Sequence, residues 1–196
     1  MINTSSVSKL NAGQLRVLSK PIKNNHHPKH DLYIILGNVL DTYNIGSIFR
    51  LADAVAAKKI YLCRGSETPP NHRIKKASIN TTEVVDWEYA PDTADLIKNL
   101  KFETRLPAGK GSNLQIVAIE QDSKSIPYDE FDYQFPLCLV VGNEIEGVAD
   151  GILPYCDDAV EIEMAGIKNS LNVAVAFGIV AYHMSRVLKG RANVAF

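Results

Sequence analysis

Four short segments of the chain concentrate Gly, Asn, Glu and Ser: NVLDTYNIGSIFR (38–50), AIEQ (118–121), VGNEIEGVADGI (141–152) and MAGIKNSLN (164–172). Each follows an apolar run. In open α/β sheets the loops beyond the carboxyl ends of the strands carry ligands. Glycine lets a backbone approach a ligand closely, while Asn, Ser and Glu supply short hydrogen-bonding groups. One such segment can be only a tight turn or a capped helix; recurrence in one chain points to a site. Several chemistries are excluded by pattern. There is no GxxxxGK[ST] and no GxGxxG after the first strand, and the GKG at 109–111 is incomplete. Neither HExxH nor GxSxG occurs, which removes the usual metalloprotease and hydrolase signatures.

The elements that position these loops are legible as apolar periodicity. Strand-length runs occur at LYIIL (32–36), IYLC (60–63), LQIVAI (114–119), LCLVV (137–141) and AVEIEM (159–164). Between them lie helix-like segments at 44–57, 93–102 and 170–188. Continuous apolar strands separated by helices predict a mostly parallel sheet sandwiched by helices, an α/β fold. Asn44, Asp92 and Ser170 are placed to cap the three helices. The last helix is apolar nearly all round, so it must be covered on all sides, and a homodimer is expected.

The bulk numbers fit this reading. The 196 residues are 46% apolar and 22% charged, as in an ordinary globular protein. The net charge of −1 excludes a global basic field, so any nucleic-acid contact must be local. Cys63, Cys138 and Cys156 are widely spaced and odd in number, which argues against a disulfide framework; Cys63 and Cys138 read as small core residues. Residues 1–30 form a polar, basic amino-terminal extension whose His26, His27 and His30 lack metal-site spacing, so no metal is expected. Residues 31–190 form the domain and 191–196 a tail. The polar start and the interrupted apolar stretches predict a cytoplasmic chain with no membrane segment.

Three motifs carry a family resemblance. Asn44-Ile-Gly46-Ser-Ile-Phe-Arg50 resembles the first motif, NxGxxxR, of the SpoU (TrmH) family of RNA ribose 2′-O-methyltransferases. The stretch from Val141 through Gly142, Asn143 and Glu144 to Gly147 resembles the second, with its GxExxG core. The stretch from Ile162 through Met164, Gly166 and Ser170-Leu171-Asn172 resembles the third, and residues 71–87 are similar to a family loop. One departure is Glu163, which stands where the third motif usually has proline.

The resemblance, which covers about residues 31–188, implies a SPOUT-type fold whose carboxyl-terminal part is threaded into a trefoil knot and which dimerises through that region. It implies S-adenosyl-L-methionine as methyl donor, S-adenosyl-L-homocysteine as product, and tRNA or rRNA as partner. Carried over by motif position, the donor would be held by Ile119, Gly142, Ile162 and Leu171, with Gly147 and Gly166 shaping the loops. The catalytic set would be Asn44, Arg50, Glu144, Ser170 and Asn172. The resemblance assigns proton removal from the ribose to Arg50, reaching the donor of the other subunit. Arginine stays protonated in nearly all protein settings, so the alternative is that a phosphate or a neighbouring group takes the proton while Arg50 grips the RNA backbone. Without the motifs, Ile119, Ile162 and Leu171 read as core and Ser170 as a helix cap.

RNA contacts are expected at Arg64, Arg73, Lys75 and Lys76, beside His72; the amino-terminal Lys9, Arg16, Lys20, Lys23 and Lys29 form a second basic cluster, whose part in RNA binding the sequence leaves open. Such cations position phosphates without reading sequence. Two alternatives are a catalytically silent RNA-binding dimer of the same fold and a flavodoxin-like nucleotide-binding module. The complete motif set argues against the first, and the missing phosphate loop against the second.

Overall fold

The structure, a computed structural model, describes residues 29–104 and 113–194. Seven strands form one sheet: β1 (His30–Gly37), β2 (Ala57–Cys63), β3 (Asp86–Ala90), β4 (Gln115–Ile119), β5 (Ile126–Pro127), β6 (Leu137–Val141) and β7 (Asp158–Glu161). Four helices accompany them: α1 (Thr42–Ala54), α2 (His72–Ser78), α3 (Thr93–Glu103) and α4 (Val173–Val194). The strand order is β3-β2-β1-β6-β4-β7-β5, and every pairing is parallel.

The period of two along each strand sends alternate side chains to opposite faces. Leu32, Ile34 and Leu36 of β1 join Ile45, Ile48 and Phe49 of α1, Ile74 of α2 and Phe177 of α4 in one core. Ile35 points the other way, into a second core with Cys63, Cys138 and Ile97 of α3. Helices α1, α2 and α4 therefore cover one face and α3 the other. Burial pushes the Cys63 thiol up to about 11 and the Cys156 thiol up to about 12, so neither is a ready nucleophile.

Several boundaries differ from the sequence reading. The first helix ends at Ala54, because the chain turns through Val55 and the left-handed Ala56 (φ 54°) into β2. Residues 71–87, expected to form a loop, contain α2 and the first two residues of β3. Helix α2 shows one fully buried apolar residue, Ile74, too few to reveal a period. Strand β3 is partly exposed throughout and lies at the sheet edge, which hides it from hydropathy. The caps are also redistributed. Asp41, not Asn44, caps α1 by accepting from the Tyr43 amide at 2.8 Å. Asn172, not Ser170, caps α4 through the amides of Ala174 and Val175. Asp92 caps α3 as expected, accepting from Asp95 at 2.9 Å.

Helix α4 continues to Val194, past the 190/191 boundary. One side of it is buried within the chain, with Gly178 against Leu51 of α1. Its opposite side leaves Val175 and Tyr182 half exposed. No helix among the described residues is long and apolar enough to cross a membrane. Of the amino-terminal basic residues, Lys9, Arg16, Lys20 and Lys23 lie outside the described residues, as do His26 and His27. Lys29 pairs with Asp86 at 3.0 Å, and His30 opens β1.

Candidate active site

A cleft of about 600 Å3 opens beyond the carboxyl ends of β4, β6 and β7. Of the residues expected to hold a donor, Ile119, Gly142, Gly147, Ile162 and Leu171 line it. Glu144, Ser170 and Asn172 line it as well. Gly166 does not, and a Cβ there would meet nothing within 4 Å. The segments that sequence places far apart thus converge on one concavity.

The loop after β6 is held tightly. Asn143 and Gly147 exchange backbone hydrogen bonds of 2.8 and 2.9 Å. The Asn143 side chain accepts from the amides of Ile145 and Glu146 and donates to the Asn38 carbonyl at 3.1 Å. A Cβ on Gly142 would stand 2.0 Å from the Gly147 carbonyl carbon and oxygen, so no other residue fits. Gly147 has φ +67°, the region that favours glycine. Ile145, at the tip, is 94% exposed.

Glu120, one residue past β4, grips this loop. One oxygen accepts from the Val148 amide at 2.6 Å and the other from the Gln121 amide at 2.8 Å. The same carboxylate fills the space where a Gly147 side chain would go. The AIEQ segment stands out in the sequence, but Glu120 takes its role only from the fold; an acidic residue directly after an apolar strand is the sequence signal for it. Gln121 in turn donates to the Asn169 carbonyl at 2.8 Å, tying the third loop to the same strand end.

Glu144 braces the opposite side. Its carboxylate accepts from the Leu40 amide (3.1 Å), the Asp41 amide (2.9 Å) and the Asn44 side-chain amide (3.1 Å). Desolvation alone would push this carboxyl up, but the hydrogen bonds from Asn44, Asp41 and Leu40 together outweigh it and hold the carboxyl below its ordinary value. Asn44 is buried in the first turn of α1, and its oxygen accepts from the Asn172 amide at 2.9 Å. A continuous chain of hydrogen bonds therefore joins all three motif loops.

Gly46 serves packing. A Cβ there would lie 2.5 Å from the Ala77 Cβ and 2.8 Å from the Ile74 carbonyl, so it permits α1 to touch α2. Arg50 is exposed and does not line the cleft. It lies six residues beyond Asn44, about 9 Å along the helix and about 240° around it. Arg64, Arg73, Lys75 and Lys76 are exposed, the last three on α2. Lys75 pairs with Glu83 at 3.4 Å.

The sequence profile of the SpoU rRNA Methylase family matches residues 31–182. The chain belongs to the SpoU rRNA methylase family. It is 34% identical over 160 residues to a tRNA (guanosine(18)-2′-O)-methyltransferase of Aquifex aeolicus, covering 80% of this chain and 69% of that protein. It is 26% identical to the enzyme of that name from Escherichia coli, covering 80% of this chain and 63% of that one. Among solved structures, the A. aeolicus TrmH/SpoU tRNA-modifying enzyme superposes with a TM-score of 0.72 at 30% identity, over 84% of this chain and 78% of that one. An AdoMet-bound rRNA methyltransferase from Sinorhizobium meliloti gives 0.70 at 29% identity, over 84% of this chain and 59% of that one. This SpoU chain thus spans about three-fifths to four-fifths of the relatives it matches.

Proposed function

We propose that this SpoU-family chain transfers the methyl group of S-adenosyl-L-methionine to a ribose 2′-hydroxyl of tRNA or rRNA, releasing S-adenosyl-L-homocysteine. The observation that carries the reading is the Glu144–Asn44–Asn172 chain, which ties two loops that line one glycine-walled cleft to the first turn of α1, whose Asn44 itself does not line it. The relatives named tRNA methyltransferases and the AdoMet-bound neighbour support the same reaction.

The cleft suits such a donor chemically. Apolar Ile119, Ile162 and Leu171 offer a slot for a flat purine, and Gly142 and Gly147 leave backbone polar groups within reach of it. The donor contributes an electrophilic methyl group on a sulfonium. Glu144 orders the loops rather than attacking anything, since its oxygens are occupied by three donors. Asn172 and Ser170 stand at the cleft where a ribose would enter. Gly166, lying outside the cleft, gives loop freedom and not donor contact.

Arg50 is exposed and does not line its own chain's cleft, which supports action on the site of a second copy. We assign the dimer face to exposed apolar residues on the α1 and α4 side: Leu40, Tyr43, Val175 and Tyr182. An arginine is a fixed donor, suited to gripping a phosphate while another group takes the proton. The trefoil knot belongs to the same proposal, and the insertion of β6 between β1 and β4 with the return of α4 onto α1 supports it. Arg64, Arg73, Lys75 and Lys76 supply RNA contacts, and the enzyme works in the cytoplasm. The complete hydrogen-bond chain favours this over a silent RNA-binding dimer.

The test is direct. Calorimetry should detect S-adenosylmethionine binding, and the protein should methylate bulk tRNA or rRNA with a tritiated donor. Absence of donor binding would overturn the reading. Donor binding without transfer to either RNA would favour the silent dimer.

A further inference from the structure

The donor cleft is lopsided in charge. Glu120, Glu144, Glu146 and Glu161 all line it, and no Lys, Arg or His of the described residues does. Lys168 stands on the third loop, exposed and outside the lining. Over the whole chain 22 acidic residues nearly balance 21 Lys and Arg, so the asymmetry belongs to the cleft and not to the composition.

The four carboxylates are not equivalent. Glu144 is taken up by the Leu40, Asp41 and Asn44 donors, and Glu120 by the Val148 and Gln121 amides. The side chains of Glu146 and Glu161 have neither a hydrogen-bond donor nor an ion-pair partner among the described residues. Glu146 sits on the tight loop after β6, where the Asn143 side chain accepts from its amide at 3.2 Å. Glu161 is the last residue of β7 and is partly buried, flanked in sequence by Val160 and Ile162 of the same wall. Its backbone is fixed: its carbonyl accepts from the Tyr128 amide at 2.9 Å, and Pro127 of β5 pairs with it. A carboxylate drawn partly out of water without a counter-charge is unfavourable, and a cationic ligand relieves it.

We propose that Glu146 and Glu161 make the cleft prefer the charged methyl donor over its uncharged product, so that methyl transfer itself loosens the product. The inference rests on the methyltransferase reading and adds how the same cleft tells its two ligands apart. S-Adenosylmethionine carries a sulfonium and an ammonium against one carboxylate, a net positive charge. On transfer, the methyl carbon bonds to the ribose oxygen and the carbon–sulfur electron pair stays on sulfur. The hydroxyl proton passes to a base. The sulfur is then a neutral thioether, and S-adenosylhomocysteine has no net charge. Its adenine, ribose and amino-acid groups are unchanged, so the apolar slot and the backbone groups hold both ligands alike. The field of two unpaired carboxylates acts only on the charge that differs.

The test is calorimetry on the full chain with three ligands: S-adenosylmethionine, S-adenosylhomocysteine and sinefungin, in which a carbon-bound ammonium replaces the methylsulfonium. At low salt the two cations should bind about tenfold or more tighter than the neutral product. Added sodium chloride should shrink that ratio. Glu146→Gln and Glu161→Gln keep the shape and remove the charge. Each should weaken both cations about threefold or more and leave S-adenosylhomocysteine unchanged, and the double variant should bring all three together. Binding of the product also reports that the cleft of each variant is folded. Equal affinity of donor and product in the wild type, a ratio indifferent to salt, or an undiminished ratio in the double variant would overturn the inference. So would a uniform loss of all three ligands in the variants, which marks a structural role. Wild-type binding of all three alike defeats only this inference, whereas binding of none defeats the methyltransferase reading as well.

Discussion

The side-chain amide of Asn172 donates to the side-chain oxygen of Asn44 at 2.9 Å, across 128 residues of sequence. The same Asn44 side chain donates from its nitrogen to Glu144. Its two ends are therefore distinguished: oxygen toward the cap of α4, nitrogen toward a carboxylate. Only a side chain with both a donor and an acceptor satisfies both neighbours, which accounts for an amide at this buried position.

Replacement of Asn44 should separate these roles. Asn44→Ala leaves the Asn172 amide and one Glu144 lone pair short of a partner, and should cost about 1–3 kcal/mol in urea denaturation. Asn44→Asp keeps the acceptor for Asn172 but turns a carboxylate toward the Glu144 oxygen, so it should be less stable than Asn44→Ala at neutral pH and should recover as the pH falls. Equal stability of the two variants would contradict the polarity assigned to the network.

The glycines should divide by environment, not by motif membership. Gly142→Ala and Gly147→Ala should abolish donor binding measured by calorimetry, because the new Cβ meets backbone at 2.0 Å in one case and the Glu120 carboxylate in the other. Gly166→Ala, with open space around it, should bind donor normally. A large loss at Gly166 would place that residue in the site after all.

Acid should weaken the site through Glu144. A carboxyl held below its unfolded value stabilises the fold above the unfolded value, near ~4.3 for glutamate, and that contribution is lost as pH falls through the lower folded value. Wild-type stability should therefore decline as the pH falls below about 4. Glu144→Gln should be less stable at pH 7 and show a shallower acid limb. Parallel acid limbs in the two proteins would rule out Glu144 as the source.

Arg50 should act across subunits. Arg50→Ala should lose methyl transfer while retaining donor binding. Mixing it with Gly142→Ala, which is inactive for a different reason, should restore part of the activity, because one hybrid site then combines an intact cleft with an intact Arg50. No recovery, with mixed dimers demonstrated by mass, would confine Arg50 to its own chain.

Glu120 should matter as a clamp. Glu120→Ala removes the acceptor for the Val148 amide and should weaken donor affinity about tenfold or more. Glu120→Gln, which keeps an acceptor oxygen, should recover much of that affinity. A variant pair with identical affinities would reduce Glu120 to a surface role.

By itself the sequence determined the layered α/β architecture, because continuous apolar strands and helical spacing depend on neighbours a few residues apart. Runs such as Leu32–Leu36 and Leu137–Val141 carry that signal whatever else the chain does. It also marked the loops that line the cleft, since Gly142 and Glu144 follow the run at 137–141 within three residues and Asn172 closes the Gly- and Ser-containing segment that follows the run at 159–164. The assignment of individual roles lay beyond it. A capping residue can sit at 41 or 44, and at 170 or 172, with equal local plausibility; which amide meets which oxygen is decided by loops brought together from 100 or more residues away. Glu120 gained its meaning in the same way, from the Val148 and Gln121 amides that it meets in space. Only the tertiary structure could leave Arg50 outside the lining of its own cleft, because which residues of a helix reach a cleft is settled by packing and not by sequence spacing.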